Sequence, residues 1–133
     1  MKNCVLLSLA LIGVASSCTQ DLTHRSRKHV ASLLSEQIGD AADPQIGFLK
    51  DRTHLLVDLS TAAFPTLTES TLTKRSRGFA VTALKNYVKA DTLDSISVVY
   101  SERLGHKVGG WIRHTDTFPV SVLRDLQPLP NTR

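Results

Sequence analysis

His54, Asp58 and Ser60 are the residue types of a base, an orienting carboxylate and a nucleophile. In the stretch HLLVDLS they share one face of an extended strand. At a rise of about 3.3 Å per residue, His54 and Asp58 stand about 13 Å apart. A working hydrolytic set needs hydrogen-bond contact near 3 Å. No Gly-x-Ser-x-Gly elbow is present to lift a serine out of a sharp turn. The spacing therefore predicts a solvated sheet face.

His114-x-Asp116 sets an imidazole beside a carboxylate on a second strand, close enough to share a divalent ion. Zinc asks for three or four ligands, so His54 or His106 would have to be brought in by strand order. No HExxH, EF-hand or Gly-rich phosphate loop occurs. A small hydrolase or metal-dependent enzyme is thus an alternative reading. It requires His54, Asp58, Ser60, His114 and Asp116 to converge in one pocket. No metal and no cofactor is implied by motif.

The third constellation is electrostatic. Lys74, Lys85 and Lys89, with Arg75 at the margin, lie on one side of a helical run with no acidic residue interleaved. Such a stripe is either a solubilising face or a site for an anionic partner. Arg77 falls elsewhere on the same helix.

These side chains need a scaffold, and the pattern from His54 to Arg103 supplies strand, helix, strand. Leu55, Val57 and Leu59 alternate with His54, Leu56, Asp58 and Ser60, which marks a sheet with one buried and one wetter face. Gln45–Leu49 precedes it across the polar break Lys50-Asp51-Arg52-Thr53, as a hairpin. Thr66-Leu67-Thr68-Glu69 fits a capping box opening the long helix. Along that helix Leu72, Phe79, Ala80, Ala83, Leu84 and Tyr87 occupy roughly 140° of arc. Gly78 is placed on its outer side. Ile96, Val98 and Tyr100 alternate in a third strand, and residues 108–117 form a fourth.

A two-residue loop at Gly105-His106 sets Tyr100 opposite Trp111 and Trp111 in or at the edge of the core. A loop one residue longer turns Trp111 to the other face. Gly109-Gly110 suggests a bulge or a close backbone approach. Upstream, Val30, Leu33, Leu34 and Ile38 give a helix over about 22–38 one narrow apolar stripe. Gly39 stands where a left-handed C-terminal cap belongs, and Pro44 forbids continuation. Residues 120–126 read as a short helical turn or a strand remnant.

The fold class is α+β: a small two-layer sandwich of about four mostly antiparallel strands with two helices on one face, in the order α-β-β-α-β-β. The helical connection either pairs the second and third strands in parallel or leaves them apart. At 133 residues there is room for one domain. The net charge of +4 permits an anionic partner without demanding one. Aromatic residues make up only 5%, which disfavours base-stacking platforms, and no nucleic-acid partner is expected.

The first eighteen residues are the most informative about location. Lys2 is a short basic start, Val5–Val14 an apolar run, and Ala15-Ser16-Ser17 a small-residue stretch. An apolar run of about ten residues is short for a bilayer span, which needs about twenty. The run Val14-Ala15-Ser16-Ser17-Cys18 resembles the lipobox of bacterial lipoproteins, with Ala15 where that family prefers Leu. No charge falls between Lys2 and Cys18, as that family requires.

The resemblance implies a diacylglyceryl group on the Cys18 thiol, cleavage before Cys18 and acylation of the new amino group. With Thr19 rather than Asp after the cysteine, it also implies the periplasmic face of the outer membrane. Cys4 would leave with the leader, so the mature chain would have neither a disulfide nor a thiol nucleophile.

The organisation is then a signal peptide over 1–17, a lipidated Cys18 with a basic tether over 18–28, one domain over 29–126 and a tail over 127–133. In the tether His24, Arg25, Arg27 and Lys28 lie either against lipid headgroups or in a solvated first helical turn. The favoured reading is a lipid-anchored, non-enzymatic cell-envelope protein that binds or scaffolds a partner: an envelope protein, lipid headgroups or peptidoglycan. A further alternative is an accessory subunit of an envelope complex. It would dock through an apolar patch including Leu56, Val99 or Trp111.

Overall fold

The computed structural model describes residues 12–103 and 111–126. Residues 1–11, which hold the start of the expected leader, the expected turn at Gly105-His106, Gly109-Gly110 and residues 127–133 lie outside the described residues. Helix α1 spans Ile12–Ile38, strands β1 and β2 span Gln45–Phe48 and His54–Ser60, and helix α2 spans Glu69–Asn86. Strands β3 (Ser95–Glu102) and β4 (Trp111–Pro119) follow, then a short helix α3 over Val120–Arg124. The fold is α+β, two layers, with the order anticipated from the pattern and α3 added at the end.

The sheet order is β1-β2-β3-β4. Both outer pairs are antiparallel, while β2 and β3 run parallel through the α2 crossover. The in-register pairs Leu55↔Ile96, Val57↔Val98 and Leu59↔Tyr100 carry fully buried side chains. Neighbouring residues of a parallel in-register pair point the same way, so these six make the floor of the core. Val30 and Leu34 of α1, and Leu72, Phe79, Ala80, Ala83 and Leu84 of α2, close it from above. No helix among the described residues is long and apolar enough to cross a membrane.

Several local details differ from the sequence pattern. The capping box does not form: α2 begins two residues later than Thr66 implies, with Thr68 as N-cap. The Thr68 hydroxyl bonds the hydroxyls of Ser70 and Thr71 instead of a backbone amide. Gly78 is buried, not outward, because α1 crosses α2 on that side. One turn on, the Thr82 hydroxyl meets Gln37 of α1 at 3.1 Å. A single amphipathic stripe cannot reveal a second covered side.

Gly39 does end α1, accepting the role through φ 122°, but its ψ of 159° is extended; the left-handed turn falls on Asp43 instead. No atom would meet a Cβ added at Gly39, so any cost of substitution there is backbone strain alone. Gly39→Ala should lower stability by about 1–2 kcal/mol, read from the urea midpoint.

Trp111 is not in the core. It is 74% exposed and opposes Glu102, while Tyr100 opposes His114. The eight residues between Glu102 and Trp111 make a longer connection than the two-residue turn, and an irregularity between Tyr100 and Ser101 leaves Arg113 as the extra residue. His114, Asp116 and Phe118 therefore turn beneath the helices. Phe118 is buried there.

Tyr100 is the buried polar group at the centre of this face. Its ring meets Phe64 edge-on at 5.1 Å. Its hydroxyl lies 2.8 Å from Ser76 Oγ, which itself donates to the Leu72 carbonyl. Burial pushes the phenol up to about 12. An unfolded tyrosine loses its proton near pH 10. Its stabilising contribution is thus complete below pH 10 and lost as pH rises towards 12, on the order of 2 kcal/mol. Urea midpoints at pH 9 and 11.5 should diverge less in Tyr100→Phe than in the parent.

Candidate functional site

The five residues of the hydrolytic reading do not converge. His54, Asp58 and Ser60 sit on the outer face of β2; His114 and Asp116 sit on the helix-covered face of β4. The His54 Nε2 bonds Ser97 Oγ at 2.7 Å, and Ser97 bonds Thr117 at 2.7 Å, a polar row across three strands. Ser60 Oγ accepts from the Ala62 amide and starts the turn after β2.

Asp58 has a structural partner set. It is 5% exposed and accepts from Ser101 Oγ at 2.6 Å. Arg103 Nη2 donates to the Asp58 carbonyl at 2.9 Å and lies 3.6 Å from its carboxylate. Nη1 of the same guanidinium binds both the carbonyl and the carboxylate of Asp43. The Arg103 side chain is only 4% exposed, and its Nε has no hydrogen-bond partner among the described residues. Arg103 thereby ties the lead-in to β1 and the end of β2 to the end of β3.

His114 and Asp116 do come together, with a partner the sequence did not announce. His114 Nε2 is 2.7 Å from Asp116 Oδ2. Thr73 Oγ1 of α2 donates to Asp116 Oδ1 at 3.0 Å and stands 3.2 Å from the same His114 nitrogen. One nitrogen therefore serves both contacts. An Nε2–H given to Asp116 cannot also accept the Thr73 proton. The three groups close a triangle that pins the middle of β4 to α2, rather than a relay that activates Thr73 as a nucleophile. Among the described residues no group of three His, Cys, Asp or Glu side chains could hold a metal ion.

A cavity of about 490 Å³ lies at the carboxyl ends of β2 and β3, lined by Ser60, Phe64, Leu72, Tyr100, Glu102 and Arg113 among others. Its cationic and anionic side chains are already paired, Arg113 with Glu102 at 2.6 Å.

The basic stripe is reduced by packing. Lys74 and Lys85 are exposed on α2. Arg75 folds back, its guanidinium 5.1 Å from the Phe64 ring and 5.5 Å from Phe79. Lys89 lies beyond the end of α2, ahead of the 3-10 turn Ala90–Thr92. None of Lys74, Lys85 and Lys89 enters an ion pair among the described residues. Of the apolar patch tied to docking, Val99 is buried, Leu56 is half-buried, and Trp111 is exposed on the edge strand next to exposed Ile112.

No family model, curated protein or solved structure matches this chain. The functional reading therefore rests on its own residues.

Proposed function

We propose that this chain is a lipid-anchored, non-enzymatic cell-envelope protein that binds or scaffolds a partner, held at the periplasmic face of the outer membrane. The observation that carries the reading is the lipobox-like run Val14–Cys18 behind a charge-free apolar stretch and Lys2. The side chains with chemical potential add support. His54, Asp58, Ser60, Thr73, His114 and Asp116 each have hydrogen-bond partners within the fold, in groups that stabilise it. Lys74, Lys85 and Lys89, in no ion pair among the described residues, remain the anionic-partner residues of this proposal, with Arg75 at the margin.

The test is metabolic labelling with palmitate and glycerol, followed by the mass of the mature amino terminus. Label on a chain that begins at Cys18 supports the reading. An unlabelled chain retaining residues 1–17 overturns it.

A second reading, an accessory subunit of an envelope complex, is favoured by one feature. β4 is an edge strand, and Trp111 and Ile112 at its start are exposed. A long edge carrying large apolar residues is a ready surface for strand addition.

A further inference from the structure

One end of the molecule gathers three segments that are far apart in sequence. The first is the stretch of α1 over residues 22–28, where exposed Leu22, Arg25 and Lys28 surround buried Thr23. The second is the β1–β2 turn, with exposed Leu49, Lys50 and Arg52. The third is the exit from α2, with Val88 and Lys89. Ser26 Oγ accepts from the Val88 amide at 2.8 Å, which joins the first to the third. The Arg27 guanidinium lies 5.3 Å from the Phe48 ring, and Phe48 lies 6.3 Å from Tyr87, which joins all three.

The surface has the composition of a bilayer contact. Leu22, Leu49 and Val88, the last 56% exposed, are three of the six large apolar side chains left exposed among the described residues. Around them stand Arg25, Arg27, Lys28, Lys50, Arg52 and Lys89. The nearby carboxylates are partly spent: Asp21 pairs with Arg25 at 3.1 Å, and Asp51 accepts from both the amide and the hydroxyl of Thr53. Asp91 and Asp94 lie just beyond Lys89.

The position of Cys18 decides what meets this surface. Only five residue steps separate it from buried Thr23. As helix they rise about 7.5 Å, and fully extended they reach at most about 17 Å. A tether that short holds the adjoining end of the body within the headgroup layer.

Resting on the lipid-anchor reading, we infer that the end formed by Leu22–Lys28, Leu49–Arg52 and Val88–Lys89 docks on the anionic headgroups of the membrane that Cys18 enters. Leu49 and Val88 dip into the boundary, and Lys28, Lys50, Arg52 and Lys89 meet phosphates around them. The sheet then stands away from the bilayer. Glu102 and Trp111 lie at its far end, about 23 Å along β3 from Ser95.

The full chain, purified from cells and reconstituted in phosphatidylglycerol-containing vesicles with brominated acyl chains, tests this. Flotation with the vesicles reports the anchor; tryptophan quenching reports the docked surface. The parent, whose one tryptophan is Trp111, should float and stay unquenched. Val88→Trp in a Trp111→Phe background should float and lose more than about half its emission, since docked apolar faces sit roughly 5–10 Å into the boundary. Adding Lys50→Glu, Arg52→Glu and Lys89→Glu should return emission to the parent level while flotation persists. A floating Val88→Trp chain that is unquenched overturns the docked surface but leaves the anchor standing. Quenching that survives charge reversal, or equals that in phosphatidylcholine vesicles, overturns the electrostatic contact. A chain without lipid that fails to float overturns both.

Discussion

Arg103→Met should lower the stability of the domain by about 3 kcal/mol, the low end of what breaking a buried ion pair costs. The side chain is 4% exposed and bridges Asp58 and Asp43 across the top of the sheet. Asp58 is buried, so once Arg103 is removed its charge has neither water nor a counterion. Ser101 still donates to it, which keeps the loss from the upper end of the range. Asp43 is half-exposed and adds little, because solvent screens it. For a domain of this size, 3 kcal/mol corresponds to a fall in Tm of about 10 °C.

Adding Asp58→Asn to Arg103→Met should recover at least about 1 kcal/mol, because an uncharged amide costs less to bury without a counterion. Urea denaturation of the two variants measures both numbers. A loss under about 1 kcal/mol for Arg103→Met would mean that the pair is dispensable.

The importance of Arg103 illustrates what local pattern can and cannot carry. Period-two alternation puts Arg103 on the face of Ser97, Val99 and Ser101, and Asp58 on the outer face of β2. Both facts can be read from the chain. Their meeting requires β2 and β3 to be parallel neighbours, and the alternation in HLLVDLS and SISVVYSER is equally consistent with strands apart. The partners are 45 residues distant, and only the α2 crossover joins them.

Thr73 was missed for the same reason. It lies 41 and 43 residues from His114 and Asp116, and it belongs neither to the apolar stripe of α2 nor to its basic one. Trp111 went to the wrong environment because residues 103–110 carry a credible two-residue turn signal, while the strands pair with a longer connection. The two-residue shift carries Trp111 past the core to Glu102, and the bulge at Arg113 turns His114, Asp116 and Phe118 to the helix-covered face. By contrast, the burial of Leu55, Val57, Leu59, Ile96 and Val98 followed directly from alternation. So did the long helix between them, because short apolar periods are local properties. Arg75 shows the limit at a surface: its angle on the helix is right for a basic margin, but the rings of Phe64 and Phe79 draw it inward.

Cys18→Ala should abolish membrane attachment rather than weaken it. Each acyl methylene contributes about 0.8 kcal/mol to partitioning, so the two or three chains proposed for Cys18 would hold the protein durably. A basic side chain near an anionic surface adds about 1 kcal/mol. The cations of this end, Arg25, Arg27, Lys28, Lys50, Arg52 and Lys89, set against Asp21, Asp51, Asp91 and Asp94, leave a net contribution of only about 2 kcal/mol from charge. That is enough to orient a tethered body and too little to retain a free one. A single acyl chain by itself gives only marginal, reversible binding, so charge alone stands lower still. Fitted with an ordinary secretory leader, so that residues 1–17 are still absent from the mature chain, the variant should leave the membrane fraction in full at physiological salt. Fractionation of cells expressing parent and variant, with the labelled parent as reference, measures this. A Cys18→Ala chain that stays with the membrane would show that something other than acylation holds it there.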